Sequence, residues 1–400
     1  MKNQKLNFHN KQFFAKTALI SVLVFALIIL FTVTNLPIGK NVAYATELHT
    51  GCKAVYLVDA DSGIEMYCHR SDDRLPIASM VKIMTTLLAL EAVERGDLDL
   101  SEMVSVSDFA SGMGGSQVFL DSGKEYKASE LIKSIVVASA NDSCVAIAER
   151  LEGSVEGFVG KMNARAKELG MNNTNFVNCT GLPAPESYSS AKDVAIMFKN
   201  LIKHPVYFEY AGVWLEDFQH PDGRTTSMTN TNKLIRHYNG CDGGKTGFTS
   251  EAKFCLSATA ERNGLRVIAV VVGADSSKSR FGAVSKMFNY AFASYSSKVI
   301  KAKDENVENS IRVLHGKDKG VSIGFENDVR ALVKAGSEDE YALKYDLPSA
   351  LKAPVKRGGE VGKAYLTRNG EVIAEYPVVA LNDVDKANYG DLIKRICKNW

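Results

Sequence analysis

Three short stretches of this chain carry side chains that together could form and resolve an ester. "ASMVK" sets Ser79 and Lys82 three residues apart, which on a helix places a hydroxyl and an amine on one face. A serine hydroxyl is a weak nucleophile until a neighbouring base takes its proton, and a lysine serves when burial or nearby cations hold its amine neutral. A helix N-terminus adds free N–H groups and a positive dipole end that would stabilise an oxyanion formed there. "VASANDSC" supplies Ser139 and Asn141, a hydroxyl able to relay a proton and an amide able to bind a substrate carbonyl. "DGGKTGFTS" supplies Lys245, Thr246 and Gly247. There a cation and a hydroxyl suit a carboxylate, and the glycine lets a substrate backbone lie against the strand.

These residues must be positioned by recognisable elements. "KAVYLVDADSGIEMYCHR" reads as two strands around the turn Asp61-Ser62-Gly63. Apolar periodicity predicts helices over 79–95, 128–138, 141–151, 154–169 and 190–202. Near Lys245 the period changes to that of strands, and "GGKTGFTS", "FCLSATAERNG" and "LRVIAVVVGA" read as three of them, followed by a helix over about 279–295. Strands at both ends with helices between predict one α/β domain over 46–296, its sheet assembled from sequence-distant pieces and its helical part an insertion. Short alternating runs punctuated by glycine then predict a small β-sandwich-like domain over 297–384. Ser-x-x-Lys alone is a weak signal, and one Lys-Thr-Gly is expected by chance in about one chain in ten of this length. The ordered triple at a helix start, a helical junction and a strand is far rarer.

Composition narrows the function classes. The chain has 400 residues, 46% of them hydrophobic, and a formal net charge of +2, enough to bury more than one core and without the basic stripe of a nucleic-acid binder. Nucleic acid is set aside as a partner. Seven cysteines show no C-x-x-C spacing, so a metal site is not indicated, and small buried packing groups are the expected role. Lys2, Lys5, Lys11 and Lys16 precede the apolar run Ala18 to Val33, and Ala43-Tyr44-Ala45 offers a signal-peptidase site. Residues 1–45 therefore read as a cleaved export signal, with an uncleaved anchor as the alternative. In "NYGDLIKRICKNW", Tyr389, Leu392, Ile393, Ile396, Cys397 and Trp400 share one helical face and Lys394, Arg395 and Lys398 the other. Residues 385–400 are thus expected to form an amphipathic helix lying on an anionic membrane surface, docking on its own domain being the alternative.

The triple resembles the S-x-x-K, S-D-N and K-T-G signature of the penicillin-recognising serine enzymes. The chain is similar to the D-alanyl-D-alanine carboxypeptidases, the low-molecular-mass penicillin-binding proteins, over about 47–385, including "GGSQVFL", "NCTGLP" and the β domain. The middle motif is Ser-Ala-Asn, a small-residue variant familiar in the carboxypeptidase branch. The resemblance implies a β-lactamase/transpeptidase-like domain acting at the outer face of a bacterial cell membrane on peptidoglycan stem peptides ending in D-Ala-D-Ala. It implies Ser79 as nucleophile, Lys82 as base, Ser139 as proton relay and Asn141 as a guide for the acyl chain. Lys245 and Thr246 would hold the terminal carboxylate, the N–H groups of Ser79 and Phe248 would form an oxyanion hole, and Arg280 would lie near the carboxylate pocket. β-Lactam antibiotics would acylate Ser79, and no cofactor is needed. No Glu-x-x-Leu-Asn stretch follows the second motif, which speaks against a class A β-lactamase. An endopeptidase and a non-catalytic cell-wall scaffold remain the other readings.

Overall fold

The computed structural model describes residues 48–307 and 310–391. The expected signal over 1–45 and the last residues of the expected amphipathic helix, 392–400, lie outside the described residues. Strands β1 (Ala54–Asp59) and β2 (Glu65–His69) form the first hairpin. Its turn is held by the Asp59 carboxylate, which accepts the Ser62 N–H at 2.8 Å and the Ser62 hydroxyl, and Gly63 takes the left-handed φ of 76° that closes it.

A 3₁₀ turn over Ala78–Val81 leads into helix α1 (Lys82–Arg95), which ends at Gly96 in the left-handed conformation. The expected helix thus begins as a tighter turn. Ala78 has a φ of 49° and sets the chain's entry at an angle that a regular α-helical first turn does not allow. Further along come β3 (Met103–Ser105), α2 (Asp108–Ser111), β4 (Glu125–Lys127), α3 (Ala128–Val137), α4 (Asn141–Glu152), α5 (Val155–Glu168), α6 (Ala191–Leu201) and α7 (Pro205–Ala211). The expected helices over 128–138, 141–151, 154–169 and 190–202 form within one residue at each end. Ser154 and Ser190 cap α5 and α6 by accepting the N–H groups of Gly157 and Asp193. A hairpin of β5 (Leu215–Gln219) and β6 (Thr225–Thr229) and the short α8 (Leu234–His237) precede β7 (Cys241–Thr249), β8 (Lys253–Arg262), β9 (Leu265–Ala274) and α9 (Ser277–Ser294).

The main sheet has the order β2-β1-β9-β8-β7, antiparallel throughout. The N-terminal hairpin therefore completes a sheet whose other strands follow the whole helical region. Alternation along β9 sends Ile268, Val270 and Val272 into the core shared with the helical region, while Val267, Ala269 and Val271 are buried on the other face, where α9 packs. Helix α1 is buried along most of its length, with Ile83, Met84, Leu87, Leu88 and Leu90 in that core. The Ser79 turn is thus mounted on a central element.

Beyond α9 the chain is β-rich. Sheets of two, three and four strands, built from residues between Tyr295 and Ala380, surround a separate core that includes Val313, Ile323, Phe325 and Val378. Near the C-terminus Asp385 precedes a bridge between Lys386 and Gly316, and helical residues begin only at Tyr389. Asn388 and Asp391 cap that start reciprocally, each side chain accepting the other's N–H at 2.9 and 3.0 Å. Among the described residues no helix is long and apolar enough to cross a membrane.

Candidate active site

The Ser79 turn is fixed from beneath by α1 and from two sides by glycine backbone. A Cβ on Gly181 would stand 2.1 Å from the Ala78 carbonyl oxygen and 2.9 Å from the Ser79 nitrogen. A Cβ on Gly247 of β7 would stand 2.6 Å from the Ile77 carbonyl oxygen and 3.2 Å from the Ser79 nitrogen. Both positions must be bare for the two backbones to touch the turn. The missing Gly247 side chain lets that face of β7 pack on residues 77–79.

Lys82 Nζ lies 3.1 Å from Ser79 Oγ and donates to the Thr180 carbonyl at 2.6 Å. The side chain has no solvent exposure, and burial holds its amine below the ordinary lysine range. Thr180 is presented by a local device. Asn178 Oδ1 accepts the N–H groups of Thr180 and Gly181 at 3.1 and 2.6 Å, while Thr85 of α1 donates to the Cys179 carbonyl at 2.7 Å. A neutral lysine in this setting has an N–H for Thr180 and a lone pair for the serine proton.

Ser139 sits between α3 and α4 with a φ of 64°, and it accepts a hydrogen bond from Lys245 Nζ at 2.8 Å. Lys245 also donates to the Thr246 carbonyl at 3.2 Å. Its amine lies well below the ordinary lysine range, first because it is buried and then because Lys82 and Arg280 add positive charge nearby. Thr246 beside it is buried as well. Phe248 exposes 55% of its surface, its ring tilted on that of Phe254 with centroids 4.4 Å apart.

Asn141 opens α4 and joins a loop that the motifs do not contain. Its Nδ2 donates to the Gly114 carbonyl at 2.6 Å and its N–H to the Ser116 carbonyl at 2.7 Å. Its Oδ1 is buried with no partner among the described residues, so the unpaired end of the amide is the oxygen rather than the nitrogen. The next residue, Asp142, anchors the same loop. Its carboxylate accepts the N–H groups of Val118 and Leu120 at 3.1 Å each and of Ser143 at 2.9 Å.

Arg280 of α9 is buried against β7 and β8. It donates to the Gly247 and Cys255 carbonyls at 3.2 and 3.4 Å and lies over the rings of Phe254 and Phe281. It therefore touches the Lys-Thr-Gly strand through its main chain. Cys144 is fully buried, and burial pushes its thiol up to about 12, which marks a packing group rather than a reactive one.

The fold thus gathers every residue singled out from the sequence: Ser79 with Lys82, Ser139 with Lys245, Thr246 to Phe248 on the flanking strand, Asn141 on the facing wall and Arg280 behind. Sequence reasoning missed Thr180, Gly181, Gly114 and Asp142 as parts of the site. The glycine clusters "GMGG" and "CTGL" were the available signals, but which backbones they let approach is a tertiary matter.

A serine paired with a buried lysine at the start of a central helix, faced by a second lysine on an antiparallel edge strand, defines a serine enzyme suited to acyl transfer without histidine. Family comparison agrees. Residues 41–276 match the model of the D-alanyl-D-alanine carboxypeptidase family and residues 295–386 that of the penicillin-binding protein 5 C-terminal domain. The chain is 40% identical over 356 residues to the D-alanyl-D-alanine carboxypeptidase DacF of Bacillus subtilis, covering 89% of this chain and 91% of that one. It is 32% identical to DacC of Escherichia coli, over 84% and 85% of the respective chains. The crystal structure of penicillin-binding protein 5 from Haemophilus influenzae superposes with a TM-score of 0.66 at 29% identity, over 84% of this chain and 98% of that one. The chain belongs to the D-alanyl-D-alanine carboxypeptidase family.

Proposed function

We propose that the protein removes the terminal D-alanine from peptidoglycan stem peptides through an acyl-enzyme on Ser79. The observation that carries this reading is the fully buried Lys82 amine, 3.1 Å from Ser79 Oγ and held by the Thr180 carbonyl. Ser79 passes its proton to Lys82 as it attacks the penultimate D-Ala carbonyl. The N–H groups of Ser79 and Phe248 take the developing oxyanion. Lys245 and Thr246 receive the terminal carboxylate, whose negative charge restores the Lys245 proton that burial disfavours. Ser139, bonded to Lys245, relays to the departing amine the proton that Lys82 took from Ser79, and Asn141 guides the acyl chain. Arg280 adds positive potential behind Gly247. Water then resolves the ester.

Penicillins fit the same path, since a strained amide flanked by a carboxylate imitates the dipeptide. Residues 1–45 direct export, residues 46–296 form the catalytic domain, residues 297–384 hold it off the membrane, and residues 385–400 rest on the outer membrane surface. A fluorescent penicillin should label the wild type and Ser143→Ala but not Ser79→Ala; an unlabelled wild type refutes the reading. D-Alanine release from a pentapeptide should exceed both cleavage of a cross-linked dimer and penicillin hydrolysis. Deletion of 385–400 should move the exported protein from the membrane to the soluble fraction.

A further inference from the structure

The loop that holds Asn141 is gripped from two sides. From α4, Asn141 bonds the Gly114 and Ser116 carbonyls, and the Asp142 carboxylate accepts the Val118 and Leu120 N–H groups. From the other side it meets a residue of the turn between β5 and β6, which no motif contains. One guanidinium nitrogen of Arg224 donates to the Phe119 carbonyl at 3.0 Å and lies 2.9 Å from each carboxylate oxygen of Asp121. Phe119 stands between the two N–H groups that Asp142 holds, and its φ is 63°. A bulky side chain keeps that conformation only where its surroundings impose it. Arg224 supplies the outer half of the constraint.

The arginine is itself fixed. Its turn closes through the His220 N–H, which donates to the Arg224 carbonyl at 2.9 Å, and through the Arg224 N–H, which donates to Asp222 Oδ1 at 3.0 Å. The His220 ring is fully buried, with Nδ1 3.2 Å from the same guanidinium nitrogen and Nε2 2.9 Å from Thr226 Oγ1. A guanidinium only donates, so Nδ1 accepts and Nε2 carries the proton. Tyr126 of β4 completes the network, its hydroxyl donating to Asp121 Oδ2 at 3.1 Å and accepting the Asp121 N–H at 3.2 Å. A lone exposed ion pair contributes little. This one is locked between a buried imidazole and a loop backbone.

We propose that Arg224 is a positioning residue for the reaction. By strapping the 114–121 loop to the β5–β6 hairpin it keeps the Gly114 and Ser116 carbonyls where they orient Asn141, and so sets how well the acyl chain of the substrate is held. The inference rests on the carboxypeptidase reading and adds to it a residue that touches no reacting atom.

Two β-lactams with the same reactive bicycle separate this role from general stability: benzylpenicillin, which carries an acyl chain, and aminopenicillanic acid, which lacks it. Arg224→Ala should slow acylation of Ser79 by benzylpenicillin by about threefold to tenfold and leave acylation by aminopenicillanic acid within about twofold, so the ratio of the two constants falls. Asp121→Asn releases the strap from the loop side and should lower the same ratio. Arg224→Lys should recover part of it, since a point charge meets Asp121 but does not reproduce the planar fork that also holds the Phe119 carbonyl. Each protein serves as its own reference, so a smaller folded fraction does not mimic the result. An unchanged ratio in either Arg224→Ala or Asp121→Asn, or an equal loss with both compounds, overturns the strap. A wild type acylated by neither compound refutes the carboxypeptidase reading, and the strap falls with it.

Discussion

Replacing Gly247 by alanine is the sharpest test of how the nucleophile turn is held. The new methyl carbon would lie 2.6 Å from the Ile77 carbonyl oxygen, 3.1 Å from the Ala78 Cβ and 3.2 Å from the Ser79 nitrogen. Non-bonded heavy atoms settle near 3.5 Å, so the closest of these contacts forces strand and turn apart by up to about 0.9 Å. No side-chain rotation relieves it, because two of the three neighbours are main-chain atoms. Displacement of a reacting atom by about 1 Å costs on the order of a hundredfold in rate. The shift also separates the Ser79 and Phe248 N–H groups proposed to share one oxyanion. Acylation by a fluorescent penicillin should therefore slow by about 10- to 100-fold. Thermal unfolding should fall only modestly, since the rest of β7 keeps its pairing with β8. The measurement is the second-order acylation constant beside the unfolding midpoint of the same preparation. A variant that acylates at the wild-type rate would refute the argument that bare strand backbone sets the position of Ser79.

Further outcomes follow from the buried charges and thiols. Burial lowers the Lys82 amine, so the fraction available as base is lost as pH falls through that lowered value. The acylation constant should rise with pH and level off below the ordinary lysine value of 10.5, while Lys82→Arg, always protonated, should lose about 10²- to 10⁴-fold at every pH. Asp142→Asn turns an amide N–H toward N–H groups of the 118–120 loop; losing charge-assisted bonds there should cost about 1.5 to 3 kcal/mol in denaturant unfolding and slow acylation through Asn141. Thiol labelling of the native protein should reach exposed Cys68 well before buried Cys144, Cys179, Cys241 and Cys255, which should react only on unfolding. Early labelling of Cys144 would contradict its packing role.

Much of the molecule is written locally. The helices of 128–202 could be read from a 3.6-residue apolar repeat and from serine caps such as Ser154 and Ser190, both of which depend on a few neighbouring residues. The three strands from Cys241 to Ala274 were equally plain. Less legible was the start of α1. A 3₁₀ turn at Ala78–Val81 and an α-helical first turn have the same composition, and contact with Gly181 and Gly247 selects between them. The short α2, α7 and α8 escaped for a related reason, since one or two turns do not establish a repeat.

The sequence by itself determined which groups could do the chemistry: a serine and a lysine one helical turn apart, and a second serine and a second lysine on elements that local pattern assigns. Tertiary structure decided what those groups are. Lys82 finds its carbonyl partner at Thr180, 98 residues away, and Lys245 finds Ser139 at a separation of 106. The lowered basicity of both amines is a property of burial, contributed by whichever helices and strands close over them. The placement of β1 between β2 and β9 is likewise invisible to any window of sequence. Periodicity reports which face of an element is apolar; only packing reports what that face meets, and the site is made at those meetings.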